Sequence, residues 1–109
     1  MSLLGTLRGE KKEAPAYSEP ASNPKLQDLI PIAMVIAGGC EPCAENMVKR
    51  ALQQGSSWHD IDKTLLIIAG MQRLDCFAKA VGPELVAGMD RPLAAGRRTL
   101  EQAKNKEDE

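Results

Sequence analysis

Residues 39–52 read Gly39-Cys40-Glu41-Pro42-Cys43-Ala44-Glu45-Asn46-Met47-Val48-Lys49-Arg50-Ala51-Leu52, two thiols two residues apart running straight into an amphipathic segment. Ala44, Met47, Val48, Ala51 and Leu52 recur at helical spacing and form one apolar stripe, while Glu45, Lys49 and Arg50 face the other way. Proline suits the first position of a helix, because the amide proton it lacks has no intrahelical acceptor there. The pattern predicts a helix from Pro42 to about Gln54, ended by Gly55. Thiols at its start meet unsatisfied N–H groups and the positive end of the helix dipole, which stabilise a thiolate. Reversible dithiol chemistry at Cys40 and Cys43 is the first reading of this stretch.

Asn23-Pro24 reads as a cap and a first-turn proline for a preceding helix whose apolar face is Leu26, Leu29, Ile30, Ala33, Met34, Ile36 and Ala37, ending at Gly38-Gly39. Pro31 inside that pattern predicts a kink or a split near residues 28–31. On the other side, Ser57 with Asp60 three residues later is a capping-box variant. The helix it opens carries Ile61, Leu65, Leu66, Ile67, Ile68 and Ala69, too much of the circumference for a one-sided surface helix, so it is either central or set against another subunit. Leu74, Phe77, Ala78 and Val81 continue at helical spacing to Gly82-Pro83, with Gly70 permitting a break. A turn is expected over residues 84–88, then a last helix from Arg91, started around Pro92, to about Ala103, with the charged end Lys104 to Glu109 fraying into solvent. Residues 1–23 read as an arm or tail, residues 24–103 as the helical domain. No strand-like alternation of useful length is present, so the expected class is all-α.

The chain has 109 residues, 43% of them hydrophobic, which suffices for one domain with a modest core. Tyr17, Trp58 and Phe77 are its only aromatic residues and the formal net charge is −1, so it has neither the stacking platforms nor the positive groove of a nucleic-acid binder. No run approaches the roughly 18–20 apolar residues of a membrane span, and the N-terminus is charged and proline-bearing where a signal peptide is apolar. A soluble, cytoplasmic protein with no membrane partner is expected. Three cysteines in so long a chain favour a redox or metal role over a secreted disulfide scaffold.

Other readings of the reactive residues stand beside the dithiol. Cys40 and Cys43 could be small packed residues, or could join Cys76 and His59 in a zinc set. Cys76, between Leu74 and Phe77, is expected to pack in the core. His59 is expected to be exposed beside the cap, a possible proton acceptor only if it reaches the thiols. Asp28, twelve residues before Cys40, is either a solvated helix charge or part of the site.

The ordered set Asp28, Gly39-Cys40-Glu41-Pro42-Cys43, Ala51-Leu52, Gly55, Ser57 and the Ile/Leu-rich residues 61–69 resembles the carboxymuconolactone decarboxylase superfamily, in particular its alkylhydroperoxidase D-like branch. The resemblance implies an all-helical oligomer, commonly a trimer or hexamer, whose dithiol reduces peroxides or exchanges with a disulfide partner. It implies that Cys43 attacks and Cys40 resolves, with Asp28 in the place of an assisting glutamate and no bound cofactor or metal. A lipoyl-bearing or thioredoxin-like protein is the implied reductant. The histidine that branch carries four residues after the second cysteine is Met47 here, so the relay is interrupted and disulfide exchange is better preserved than peroxide reduction. Glu41, between the thiols, should raise their pKa by like-charge repulsion. Two rival readings remain: a helical scaffold that has lost the chemistry, and, less favoured, a lactone decarboxylase.

Overall fold

The computed structural model describes residues 25–108, and among these every regular element is a helix. The order is α1 (Leu26–Ala37), α2 (Glu41–Gln53), α3 (Trp58–Gln72), α4 (Asp75–Val81), α5 (Pro83–Ala87) and α6 (Asp90–Asp108). The all-α expectation holds. The expected arm at residues 1–23 lies outside the described residues.

α2 is central, packed against α1 on one side and α6 on the other, with α3 closing the bundle against α1 and α6. The core is aliphatic: Ile32 and Ile36 from α1, Ala44, Val48 and Ala51 from α2, Ile61, Leu65 and Ile68 from α3, and Leu93 and Leu100 from α6. Each fully buried Ile or Leu contributes about 1.5–3 kcal/mol of transfer free energy. α6 runs in the same direction as α2, since Gly88 approaches Gly39 at one end while Gly96 faces Val48 further along. A Cβ at Gly96 would lie 3.4 Å from the Leu65 side chain and 3.6 Å from that of Val48, so the missing side chain lets α6 settle into the groove between α2 and α3.

Two glycines shape the α1–α2–α3 course in the same manner. After α1, Gly39 takes φ 79° and its N–H reaches the Ile36 carbonyl while that of Cys40 reaches Val35. After α2, Gly55 takes φ 98° and the N–H groups of Gly55 and Ser56 reach Leu52 and Ala51. Both are Schellman ends, in which the left-handed residue returns the chain and satisfies the last carbonyls. Ser57 then caps α3, its Oγ accepting the Asp60 N–H at 3.1 Å, as its spacing predicts. Lys25 Nζ lies 3.1 Å from Asp60 Oδ2, tying the start of α1 to that of α3; this lysine, with help from Ser57, holds the Asp60 carboxyl below its ordinary range.

Four expectations are corrected. Of the kink or split expected near Pro31, the split does not occur: α1 runs unbroken from Leu26 to Ala37, the proline removing one backbone N–H donor inside it. Residues 83–87 form a short helix where a turn was expected, opened by Pro83 after Gly82 at φ 93°. The charged C-terminal residues do not fray at Lys104: α6 continues to Asp108, and Lys104 Nζ sits 4.3 Å from the centroid of the Trp58 ring. Cys76 is exposed, not buried. The chain breaks at Arg73–Leu74 and restarts as α4, so Phe77 turns toward the core and Cys76 away from it.

α3 resolves its broad apolar surface into two faces. Ile61, Leu65 and Ile68 are buried, whereas Leu66 and Ile67 remain 53% and 67% exposed. Among the described residues no helix is long and apolar enough to cross a membrane.

Candidate functional site

Cys40 is the residue at which α1 ends and α2 begins. Its N–H completes the Schellman end of α1 at 3.1 Å from the Val35 carbonyl, and its own carbonyl accepts the first intrahelical bond of α2, from Ala44. Its backbone is extended, with φ −97° and ψ 102°, as an N-cap requires, and its Sγ takes the place of the usual capping oxygen by accepting the Cys43 N–H at 3.3 Å. Glu41 and Pro42 fill the first two helical positions, so the helix begins one residue earlier than the proline alone predicts. Cys43 is third, its Cα 5.2 Å from that of Cys40, and the two sulfurs are joined as a disulfide. Both cysteines are half-buried.

The consequence is chemical. On reduction, Cys40 Sγ is left at the N-terminus of a thirteen-residue helix with an amide N–H already aimed at it. That arrangement favours the charged sulfur, both through the hydrogen bond and through the dipole. Glu41 opposes it, but this carboxylate is not alone. Arg98 of α6 donates from Nη2 to Glu41 Oε2 at 3.3 Å and stands 4.0 Å from Glu45 Oε2 one turn further on.

Of the three residues singled out from the sequence, the fold brings two together. Asp28 is half-buried in the first turn of α1. It lies seven residues before Val35, about 10 Å back along the helix axis from the carbonyl that anchors Cys40. Met47 is half-buried one turn after Cys43 on α2 and packs against the core. His59 is exposed and stacks on Trp58, ring centroids 3.8 Å apart, at the far end of α2 from the disulfide; the thirteen residues of that helix span about 20 Å. Within one chain it is therefore too far away to act as a base for these thiols. No group of three or more His, Cys, Asp or Glu residues is gathered to hold a metal among the described residues, so Cys76 and His59 do not complete a zinc set with the dithiol. Arg98 is the residue that the sequence reading missed, since nothing local links it to Glu41 across a separation of 57 positions.

One finding bears on kinship. A family model described as the carboxymuconolactone decarboxylase family matches residues 11–82, which include α1 to α4 and the whole Cys40–Cys43 segment. No curated protein and no solved structure matches the chain.

Proposed function

The chain belongs to the carboxymuconolactone decarboxylase family, and from that premise we propose that it is a thiol–disulfide oxidoreductase of the alkylhydroperoxidase D-like kind. The observation that carries this reading is the Cys40–Cys43 disulfide with Cys40 Sγ hydrogen-bonded at the start of α2. In the reducing half-cycle a donor thiolate attacks Cys43 Sγ, the intramolecular S–S bond breaks, and Cys40 departs as the thiolate that the Cys43 N–H stabilises. A better stabilised leaving thiolate leaves faster. A second donor thiol then releases Cys43. In the oxidising half-cycle the Cys43 thiolate attacks a partner disulfide and expels one partner thiolate, and Cys40 attacks the resulting mixed disulfide at Cys43, expelling the other. Two electrons pass from the dithiol to the partner. A lipoyl-bearing or thioredoxin-like dithiol protein is the reductant proposed to reset the pair.

Thiol counting tests the cycle. The oxidised chain should expose one alkylatable thiol, Cys76, and three after dithiothreitol treatment. Three free thiols in the air-oxidised protein, or a pair that no dithiol reduces, would remove the reading and leave the scaffold in its place.

We further propose that the active form is a homo-oligomer, a trimer or hexamer, assembled through the outer faces of α1 and α3. Leu26, Ile30 and Met34 follow one another at four-residue intervals along α1, and Met34 and Ile67 are 68% and 67% exposed. Between the helices lies an apolar groove of about 330 Å³ lined by Leu26, Ile30, Ala33 and Ile67. A surface of this kind on a lone chain is a site of association. Ile67→Glu should shift the sedimenting species toward the monomer while helicity is retained; a wild-type protein that is already monomeric at micromolar concentration contradicts the assembly.

A further inference from the structure

Glu41 is an awkward residue for a dithiol to enclose, and the fold supplies its counterion from a distant part of the chain. We propose that Arg98 is a positioning residue for the redox pair: by pairing with Glu41 it preserves the positive field of the α2 N-terminus at Cys40 Sγ, and so makes the disulfide easier to reduce. The assignment rests on the dithiol cycle proposed above.

Three observations converge on it. Glu41 occupies the first helical position, directly after the capping Cys40, where its charge lies in the same region as the unsatisfied N–H groups. Arg98 reaches Glu41 at 3.3 Å and Glu45 at 4.0 Å, so a single guanidinium faces both carboxylates of the first turns of α2. Close packing of α6 on α2 at Gly96 puts the nearby Arg98 within side-chain reach of Glu41 and Glu45, toward the start of that helix.

Other charges near the pair's neighbouring helices are otherwise engaged or more remote. Asp90 accepts from Gln72 at 2.8 Å. Arg97, beside Arg98 in the chain, and Lys104 instead line a groove with Trp58, Asp62 and Glu101. On α1, Asp28 is in the first turn, and Asp60 of α3 is held by Lys25. Arg91 and Glu84 are exposed, on α6 and α5.

The pair is solvent-accessible, with side chains 57% and 40% exposed, so the effect is modest and screened by salt. A charge at a helix terminus alters equilibria by a few-fold. With Cys76→Ser in every variant so that only two thiols titrate, Arg98→Gln should move the equilibrium with dithiothreitol about threefold toward the protein disulfide, measured above the thiol pKa. In that exchange dithiothreitol closes to its cyclic disulfide and gives two electrons to the Cys40–Cys43 bond; Cys43 takes one proton, Cys40 stays a thiolate and the other proton passes to the buffer. The thiolate absorbance should appear at higher pH in the same variant, and Arg98→Lys should restore most of both changes. The deciding measurement is the double variant. If Arg98 acts through Glu41, then Arg98→Gln has less than half its effect in a Glu41→Gln background. An equal effect in both backgrounds, or no effect in the otherwise wild-type chain, overturns the assignment while leaving the cycle intact; a wild-type pair that does not cycle overturns both. A merely structural Arg98 would lower the melting temperature without moving the thiolate titration.

Discussion

Cys43→Ser is expected to abolish turnover on disulfide substrates while costing the fold little. The disulfide closes a loop of only four residues. In the chain-entropy account, such a loop restricts the unfolded state by about 2 kcal/mol, near the bottom of the range for natural disulfides. The first turn of α2 does not depend on the bond, because the residue 43 amide still donates to Cys40 Sγ and the Schellman end of α1 still fixes the Cys40 backbone. Cys40→Ser should be milder still for stability, since serine is a preferred N-cap and its oxygen can accept the same amide proton. Function separates sharply from stability in both variants. In the proposed cycle Cys43→Ser removes the attacking thiol, and in Cys40→Ser the mixed disulfide at Cys43 has no resolving thiol and accumulates. Steady-state turnover should fall to background in each, with melting temperatures within several degrees of the reduced wild type. Multiple turnovers by Cys43→Ser would mean that the exchange runs through another thiol, and the exposed Cys76 is where it would then be sought.

The elements were legible wherever local chemistry decides them. Gly55 and Ser57 each act on residues within five positions, so the end of α2 and the start of α3 follow from the sequence. Residues whose fate depends on a partner far along the chain were not. Lys104 stays helical because α6 carries it to Trp58, 46 positions earlier by residue number. Cys76 falls in an apolar run, yet the break before α4 rotates that run so that Phe77 takes the inward place. The site shows the same division. Cys40 and Cys43 could be placed at a helix start from spacing and Pro42, whereas Arg98 could not be joined to Glu41 without the close packing of α6 on α2. Glu41 read alone predicts weaker thiol acidity; with Arg98 beside it, the same residue becomes part of a balanced pair.

Met47→His is expected to raise peroxide reduction by about 10²-fold at neutral pH, the lower end of what a positioned acid–base contributes. The difference between the two substrates lies in the leaving group. When the Cys43 thiolate attacks a disulfide, the departing sulfur is a thiolate of ordinary acidity, near pKa 8.5, and needs little proton assistance. When it attacks a peroxide, the O–O bond breaks to leave hydroxide or alkoxide, which must be protonated as it departs while Cys43 becomes a sulfenic acid. Cys40 then attacks that sulfur and expels the oxygen as water. Met47 is four residues after Cys43 on α2, hence on the same helix face, and its thioether can neither give nor take a proton. A histidine there is within one turn of the reacting sulfur, with a pKa near 6.5 suited to shuttling a proton at pH 7. Because Met47 is half-buried, the exchange costs some packing against Val48 and its neighbours in the core cluster, about 1–3 kcal/mol. Disulfide exchange should change no more than a few-fold. The gain in peroxide reduction should be lost in Met47→His/Cys43→Ser, which separates it from adventitious imidazole chemistry, and the rate should fall as pH drops below the imidazole pKa if the neutral ring is needed to deprotonate the thiol. A Met47→His variant that folds, cycles its dithiol and reduces peroxide no faster than wild type would show that proton delivery at position 47 is not what limits this chain.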